Sequence, residues 1–436
     1  MSITAIAFLL IYGSGLLLAL ARRPIWGLIT YIATFYLHPP GRWWGQSLPD
    51  IRWSLLAAVI TLIAYYLHKD EMQSNGSFFD KGIIRAYLLF TLWLAFQLTW
   101  SLNFDQELEL LILYVKYFVL LYLIFRLIES EHSLKLFMWS HVLGCFIMGW
   151  DAYSSYHGGR FEGFVSPNIN EANSGGLQLA TGVFTLGALF LVSSFKKKAI
   201  LAGLSVFIIN AIVTTLSRSA FLATGFGGLT FIYMTPRRYK RLVLLLSIPA
   251  MIGFIYLTNP TYWLRIHTIE IAGEDVKGVD TGYGRVVLLE AQWRMFKDYP
   301  FGCGHRCTAT LSTLYLDDKY LTGSGSTRSR ASHSTIMTML VEHGIPGIII
   351  YIYMLFWLYG HIRNQRLVNA TSNTIVAMAF VATVASLSSI FLGDIFVDYL
   401  KLESRVWFIG LLLSIIPLWK RSYVNQPKQQ LPEESF

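Results

Sequence analysis

Two arginines and a histidine carry the residue types that a transfer reaction with an anionic leaving group would need. Arg218 lies in Leu216-Ser217-Arg218-Ser219-Ala220-Phe221-Leu222, where two apolar runs meet through almost no loop. A guanidinium at that boundary helps neither insertion nor topology, and its planar fork can grip phosphate oxygens two at a time. The plain alternative is an arginine snorkelling to lipid headgroups. Arg285 ends Asp280-Thr281-Gly282-Tyr283-Gly284-Arg285, whose glycines permit a tight turn at the start of a helix predicted over 288–297. A helix N-terminus there would add affinity for an anion; otherwise it is an ordinary loop arginine. His333, in Ser332-His333-Ser334, has a side chain whose ordinary pKa of about 6.5 suits a general base. The chain holds ten histidines, and a lone surface histidine usually does nothing.

Other polar residues are weaker candidates. After His333 comes Val341-Glu342-His343-Gly344-Ile345-Pro346-Gly347, where the glycines and proline predict a break between an outer helix and an apolar run. Such a break would hold His333 about three helical turns above it, over the mouth of the bundle. Gly158-Gly159-Arg160-Phe161-Glu162-Gly163 and Ser166-Pro167-Asn168-Ile169-Asn170-Glu171-Ala172-Asn173 form a polar loop. Arg160 and Asn168 could meet sugar hydroxyls there, as any polar loop could. Tyr283, Trp293 and Glu342 are possible supports for substrate. Lys116 sits midway along an apolar run, where a charge costs about 2.5–3.5 kcal/mol. It is expected to face a partner inside the bundle, Asp394 or Glu403. Cys303 and Cys307 are either one local bridge or two thiols, and Cys-Gly-His-Arg-Cys lacks the ligand spacing of a structural zinc site. No metal and no cofactor are expected.

These groups must be positioned by a membrane bundle. Hydrophobic residues make up 54% of the chain and charged residues 14%, with mean hydropathy +0.49. Soluble domains carry about 25% charged residues, so the expected class is an all-α integral membrane protein. Apolar runs fall at 3–20, 25–38, 51–67, 84–102, 108–126, 135–153, 173–194, 199–216, 218–234, 241–257, 345–362, 374–396 and 405–419. That gives twelve or thirteen spans, with 25–38 the short one. Basic clusters at Arg22-Arg23, Lys196 to Lys198, Arg237 to Arg241, Arg363/Arg366 and Lys420-Arg421 share one face when the spans alternate. By the positive-inside rule that face is the cytoplasm. The rule also explains the excess of 35 basic over 26 acidic residues without any nucleic-acid partner.

The organisation expected is helices one to ten over 1–257, a long outside segment with amphipathic helices over 258–332, an outer helix and the last spans over 333–419, and a cytoplasmic tail over 420–436. Thr322 to Ser332 reads as a mobile loop. No cleavable signal is apparent, no internal repeat stands out, and the sequence assigns no oligomeric state.

Four pieces in order resemble the O-antigen ligase and polymerase superfamily. They are Gly159-Arg160 with the Pro-Asn loop, Ser217 to Leu222, Gly284-Arg285 with Trp293 and Pro300 to Gly304, and His333-Ser334 with Glu342 to Gly347. Arg22 to Gly27 and His38-Pro39-Pro40 also resemble a subgroup of predicted O-glycosylation ligases. The resemblance implies a GT-C-like bundle of about a dozen helices in the bacterial inner membrane with a periplasmic active site. It implies an undecaprenyl-pyrophosphate glycan donor and no metal or nucleotide sugar. Arg218 and Arg285 would hold the pyrophosphate, and His333 would activate the acceptor hydroxyl.

A ligase moving a glycan to lipid A-core is favoured, because one large outside segment suits it. A polymerase and a protein O-oligosaccharyltransferase share the donor half. A transporter fits less well, since the notable charges lie at the outer rim.

Overall fold

A computed structural model describes residues 1–169, 171–257, 283–323, 326–327, 329–363 and 374–424. The apolar runs predicted from sequence are all helices. The first ten are α1 (Ile3–Ala21), α2 (Ile25–Leu37), α3 (Trp53–His68), α4 (Gly82–Gln97), α5 (Phe104–Leu127), α6 (Glu131–Ser154), α7 (Ala172–Val192), α8 (Phe195–Thr214), α9 (Arg218–Met234) and α10 (Arg237–Leu257). Next come α11 (Tyr283–Asp298), α12 (Cys307–Tyr315), the single turn α13 (Asp318–Leu321) and α14 (Thr335–Val341). The last three are α15 (Gly344–Arg363), α16 (Thr374–Gly393) and α17 (Glu403–Val424).

Helices α1, α5, α7, α8, α15 and α16 are long and apolar enough to cross a membrane, and α4 is a shorter apolar one. The chain is an all-α integral membrane protein. Residues 258–282, the first part of the expected outside segment, lie outside the described residues, as do Asn170 and the tail beyond 424. Within 322–332, expected to be a mobile loop, Thr322–Gly323 pairs antiparallel with Ser326–Thr327 as a minimal ribbon.

Helix α16 is the centre of the bundle, and 94% of its apolar window is buried. It packs against α7, α9 and α17. Lipid tails are as apolar as the helices, so association depends on close packing rather than on escape from water. The sequence of α16 suits that need, with alanine, serine and threonine along its length. At one crossing a Cβ on Gly227 would lie 3.0 Å from the Ala385 carbonyl oxygen, and Ser389 donates to the Ala223 carbonyl at 2.7 Å.

The ends of the bundle are chemically distinct. At one end Arg421 donates to the Glu129 carbonyl at 2.8 Å and to Asn75 at 2.9 Å, and Arg23 lies 3.9 Å from Glu129. At the other, Arg42 grips both carboxylate oxygens of Asp151 at 2.7 and 2.6 Å.

Lys116 corrects the sequence reading. It is exposed on α5. Helical phase decides this, because the inner face of α5 is set by Tyr114, Tyr117, Leu120 and Leu121. Its expected partners are engaged elsewhere. Arg405 holds Asp394 at 2.5 Å, and Glu403 accepts from Tyr31 at 2.7 Å and Trp407 at 3.0 Å.

A small second core caps the bundle. Leu288, Ala291 and Met295 of α11 pack with Leu311, Leu316, Leu321 and Val341 and with the bridged pair Cys303–Cys307. The cap meets the membrane helices at Gly344, which has φ of 66°. A Cβ there would stand 2.3 Å from the Phe301 carbonyl carbon. Gly344→Ala is therefore expected to lower thermal stability, by at least the roughly 1–2 kcal/mol of a left-handed non-glycine residue. A thermal-shift midpoint in detergent equal to that of the wild type would contradict this.

Candidate functional site

The α8–α9 junction is where the first arginine is set. Leu216 turns the chain with φ of 47°, and Ser217 caps α9 by accepting from the Ala220 amide at 3.1 Å. Arg218 is then the first residue of α9. Its flanking serines both donate to Oδ1 of Asn173, Ser217 at 2.6 Å and Ser219 at 3.2 Å. Arg160 donates to the same oxygen at 3.1 Å and pairs with Glu162 at 3.2 Å. The polar loop before α7 and the start of α9 thus form one surface. Asn173 stands in the sequence motif, but its role as the shared acceptor appears only once the helices pack.

Tyr399 links that surface to Arg285. Its hydroxyl donates to the Asn173 carbonyl at 3.1 Å and interacts with Ser219, and the Arg285 charge reaches it. Burial pushes the Tyr399 phenol well above its usual range, so it stays protonated as a donor. Arg285, near the N-terminus of α11, reaches toward the Phe396 carbonyl at 3.5 Å. Two turns further along α11, buried Gln292 donates to Ser332 at 3.0 Å, beside His333. One helix therefore carries an arginine and braces the histidine segment.

His333 is exposed to solvent, with its ring partly covered and close to cations. That partial burial, with the charges of Arg285 and Arg330, holds its pKa below the ordinary histidine value. The imidazole is thus neutral near pH 7 and able to accept a proton.

What fixes this segment is the turn after α16. Thr335 donates its amide to the Asp394 carbonyl at 2.9 Å and its hydroxyl to the Asp394 carboxylate at 2.7 Å. Ser334 donates to the same carbonyl at 3.1 Å, and Tyr351 to the carboxylate at 3.0 Å. Arg405 completes the set, donating to the carboxylate and, at 3.2 Å, to the Tyr399 carbonyl. Burial pushes the Asp394 carboxyl upward, and Arg405 and these hydrogen bonds pull it back.

Sequence reading named Asp394 only as a partner for Lys116. An acid and a base eleven residues apart, at the facing ends of two apolar runs, were the available signal.

The remaining candidates fall elsewhere. Glu342 is buried at the far end of α14, joined to His305 at 3.1 Å. Trp293 is 50% exposed on the outer side of α11 and packs on Phe296. Asn168, with φ of 57°, contacts the Tyr117 hydroxyl. Tyr283 is the first residue of α11, while Asp280 to Gly282 lie outside the described residues.

With this geometry in place, a family comparison matches residues 203–352 to the model described as O-antigen ligase. The resemblance to the O-antigen ligase superfamily stands. The match takes in Arg218, Arg285, His333 and Glu342, and leaves Arg160, Asn168 and the Asp394 turn outside it. No curated protein matches the chain. The family match supports an O-antigen ligase or polymerase type of function and a glycosyltransferase-like enzyme acting on lipid-linked glycans.

Asp394→Asn should be strongly destabilising. It leaves the buried Arg405 guanidinium without its counter-charge, a change that costs about 3–5 kcal/mol in comparable sites. Thermal unfolding in lipid nanodiscs checks this, and a midpoint within a degree or so of the wild type would show the pair to be dispensable.

Proposed function

We propose that the chain is an O-antigen ligase of the bacterial inner membrane. In this reading it transfers a glycan from undecaprenyl pyrophosphate to lipid A-core on the periplasmic side, through a GT-C-like bundle. The observation that carries the proposal is that Arg160, the serines flanking Arg218, Arg285 and His333 share one end of the bundle, the first three tied through Asn173, Tyr399 and Phe396 and the last beside the Gln292–Ser332 hydrogen bond. That end is opposite the one where Arg23, Glu129 and Arg421 meet.

A pyrophosphate leaving group is already good, so the protein must neutralise charge as it develops and remove the acceptor proton. Arg218 and Arg285 meet the first need, as fixed cations do at a developing oxyanion. His333 meets the second, an effect worth about 10²–10⁴-fold. An acceptor oxygen attacking the anomeric carbon opposite the departing pyrophosphate inverts configuration in one step. The proton passes to the imidazole, and the electron pair of the broken bond leaves with the pyrophosphate. Arg160, which shares the Asn173 oxygen with the serines flanking Arg218, would contact sugar or headgroup oxygens at the margin.

In vitro transfer tests this reading. Purified protein given an undecaprenyl-pyrophosphate glycan and lipid A-core should form a ladder on lipid A-core. Alanine at Arg218, Arg285 or His333 should reduce it by at least about 10²-fold. Longer carrier-linked chains, or label on a protein, would move the assignment to polymerase or protein O-oligosaccharyltransferase. Full turnover by the His333 variant would sink the base assignment.

The pH profile gives an independent check. Arg330 disfavours the imidazolium of His333, so Arg330→Gln should raise the histidine pKa. The acidic limb of kcat/KM is then expected to move to higher pH, most clearly at low salt, where exposed charges are least screened. A limb that stays in place, or moves the other way, would mean that His333 is not the group titrating.

A further inference from the structure

A second polar centre lies beneath the cap, at the other end of α14, and the transfer chemistry makes no use of it. His305, Glu342 and His343 each offer one ligand atom, and these atoms lie within 4.8 Å of one another. All three residues are buried, with exposures of 3%, 3% and 0%. Among the described residues, His343 Nε2 and Glu107 Oε1 are buried at this centre without a hydrogen-bond partner. Buried polar atoms without partners are few in native structures, and an ion at the site is one explanation for them.

Hydrogen bonding settles the protonation of His343. The Gln97 amide nitrogen donates to the Glu342 carbonyl at 2.6 Å, so the Gln97 oxygen is the atom facing His343 Nδ1 at 3.0 Å. Nδ1 therefore carries the proton, and Nε2 presents a bare lone pair. This is how histidine ligands are commonly oriented, with one nitrogen tied to a fixed acceptor and the other free for the ion.

Charge points the same way. The Glu107 and Glu342 carboxylates are both buried and close enough to repel. The Arg306 amide donates to Glu342 at 2.7 Å, and the His305 amide donates to Glu107. Asp398 and Lys401 stand at the margin and offset each other in charge. His305 Nδ1 and Glu342 Oε2 are 3.1 Å apart, a separation that serves a hydrogen bond and also approximates the roughly 3.3 Å edge of a tetrahedral zinc site. The nearby cysteines are bridged to each other, so the donors are imidazole and carboxylate, a set suited to zinc.

We propose that His305, Glu342 and His343 bind one zinc-class divalent ion, with Glu107 alongside, fastening the 302–307 turn to the start of α15. The ion would be structural, so the proposal is independent of the transferase reading and of activity.

The test uses full-length protein in nanodiscs, purified with a tag that binds no metal and without chelator. Elemental analysis should find one zinc per chain, retained through dialysis. His343→Asn and Glu342→Gln should lose it, whereas the double variant Cys303→Ser/Cys307→Ser should keep it. Substitutions in a buried cluster can impair folding, so cobalt titration of the wild type is the second readout. Visible d–d absorption that saturates at one equivalent and is bleached by zinc is the expected result. Wild-type protein that contains no metal and gives no cobalt absorption overturns the proposal. Full metal retention by a folded His305→Ala/His343→Ala protein, or retention that depends on the cysteines, also overturns it.

Discussion

The Asp394–Arg405 pair is the constraint on which the outer end of this bundle depends. Two opposite charges with side-chain exposures of 0% and 5% are expensive to bury, and their attraction offsets the desolvation only when the remaining polar atoms are also satisfied. Satisfying most of them draws in Thr335 from the start of α14, Tyr351 from α15 and the Tyr399 carbonyl from the following turn. The result is that three stretches of chain, around 335, around 351 and over 394–405, share one anchor. Helix α16 is almost entirely enclosed, so the turn that follows it is tied to the centre of the bundle. The histidine segment and the Tyr399–Asn173 contact inherit that rigidity.

Charge at this end creates a tension that substrate could relieve. Arg285 and Arg330 lower the pKa of His333, which keeps it neutral but also makes it a weaker base. In the proposed reaction, an anion seated against these guanidiniums would cancel part of that field and favour the imidazolium that would form as the acceptor loses its proton. Donor binding would thus strengthen the base only when the leaving group is in place. Such coupling needs no conformational change, since it acts through Coulomb interaction in a partly desolvated site.

Much of this was legible in the sequence. Apolar runs of spanning length have few options in a bilayer, where only internally bonded backbone is tolerated, and each proved to be a helix. The arginine and histidine motifs were visible because polar residues are costly next to apolar runs. Lys116 was misjudged because the same cost argument ignores phase, and α5 turns that lysine outward. The Asp394–Arg405 pair escaped notice because each charge looks like a loop residue at the end of its run. His305 and His343 escaped because their meeting joins segments nearly forty residues apart. Within Cys-Gly-His-Arg-Cys the cysteines bond to each other, which resolves the choice between one local bridge and two thiols.

Helix α14 shows why both polar centres matter to one side chain. It has seven residues, far below the roughly twelve to fifteen at which an isolated helix becomes even marginally stable in water. Its position must therefore come from its ends. The Asp394 turn holds the first end through Ser334 and Thr335. The second end is held where the Gln97 amide and the Gly304 amide both meet the Glu342 carbonyl, at 2.6 and 3.0 Å. Loosening either attachment would let α14 tilt and carry His333 with it, although only the first lies near the histidine. An error of about 1 Å in the placement of a catalytic group can cost 10²-fold in rate. On the proposed reading, residues around Glu342 would therefore affect transfer without touching substrate, through the short helix they hold in place.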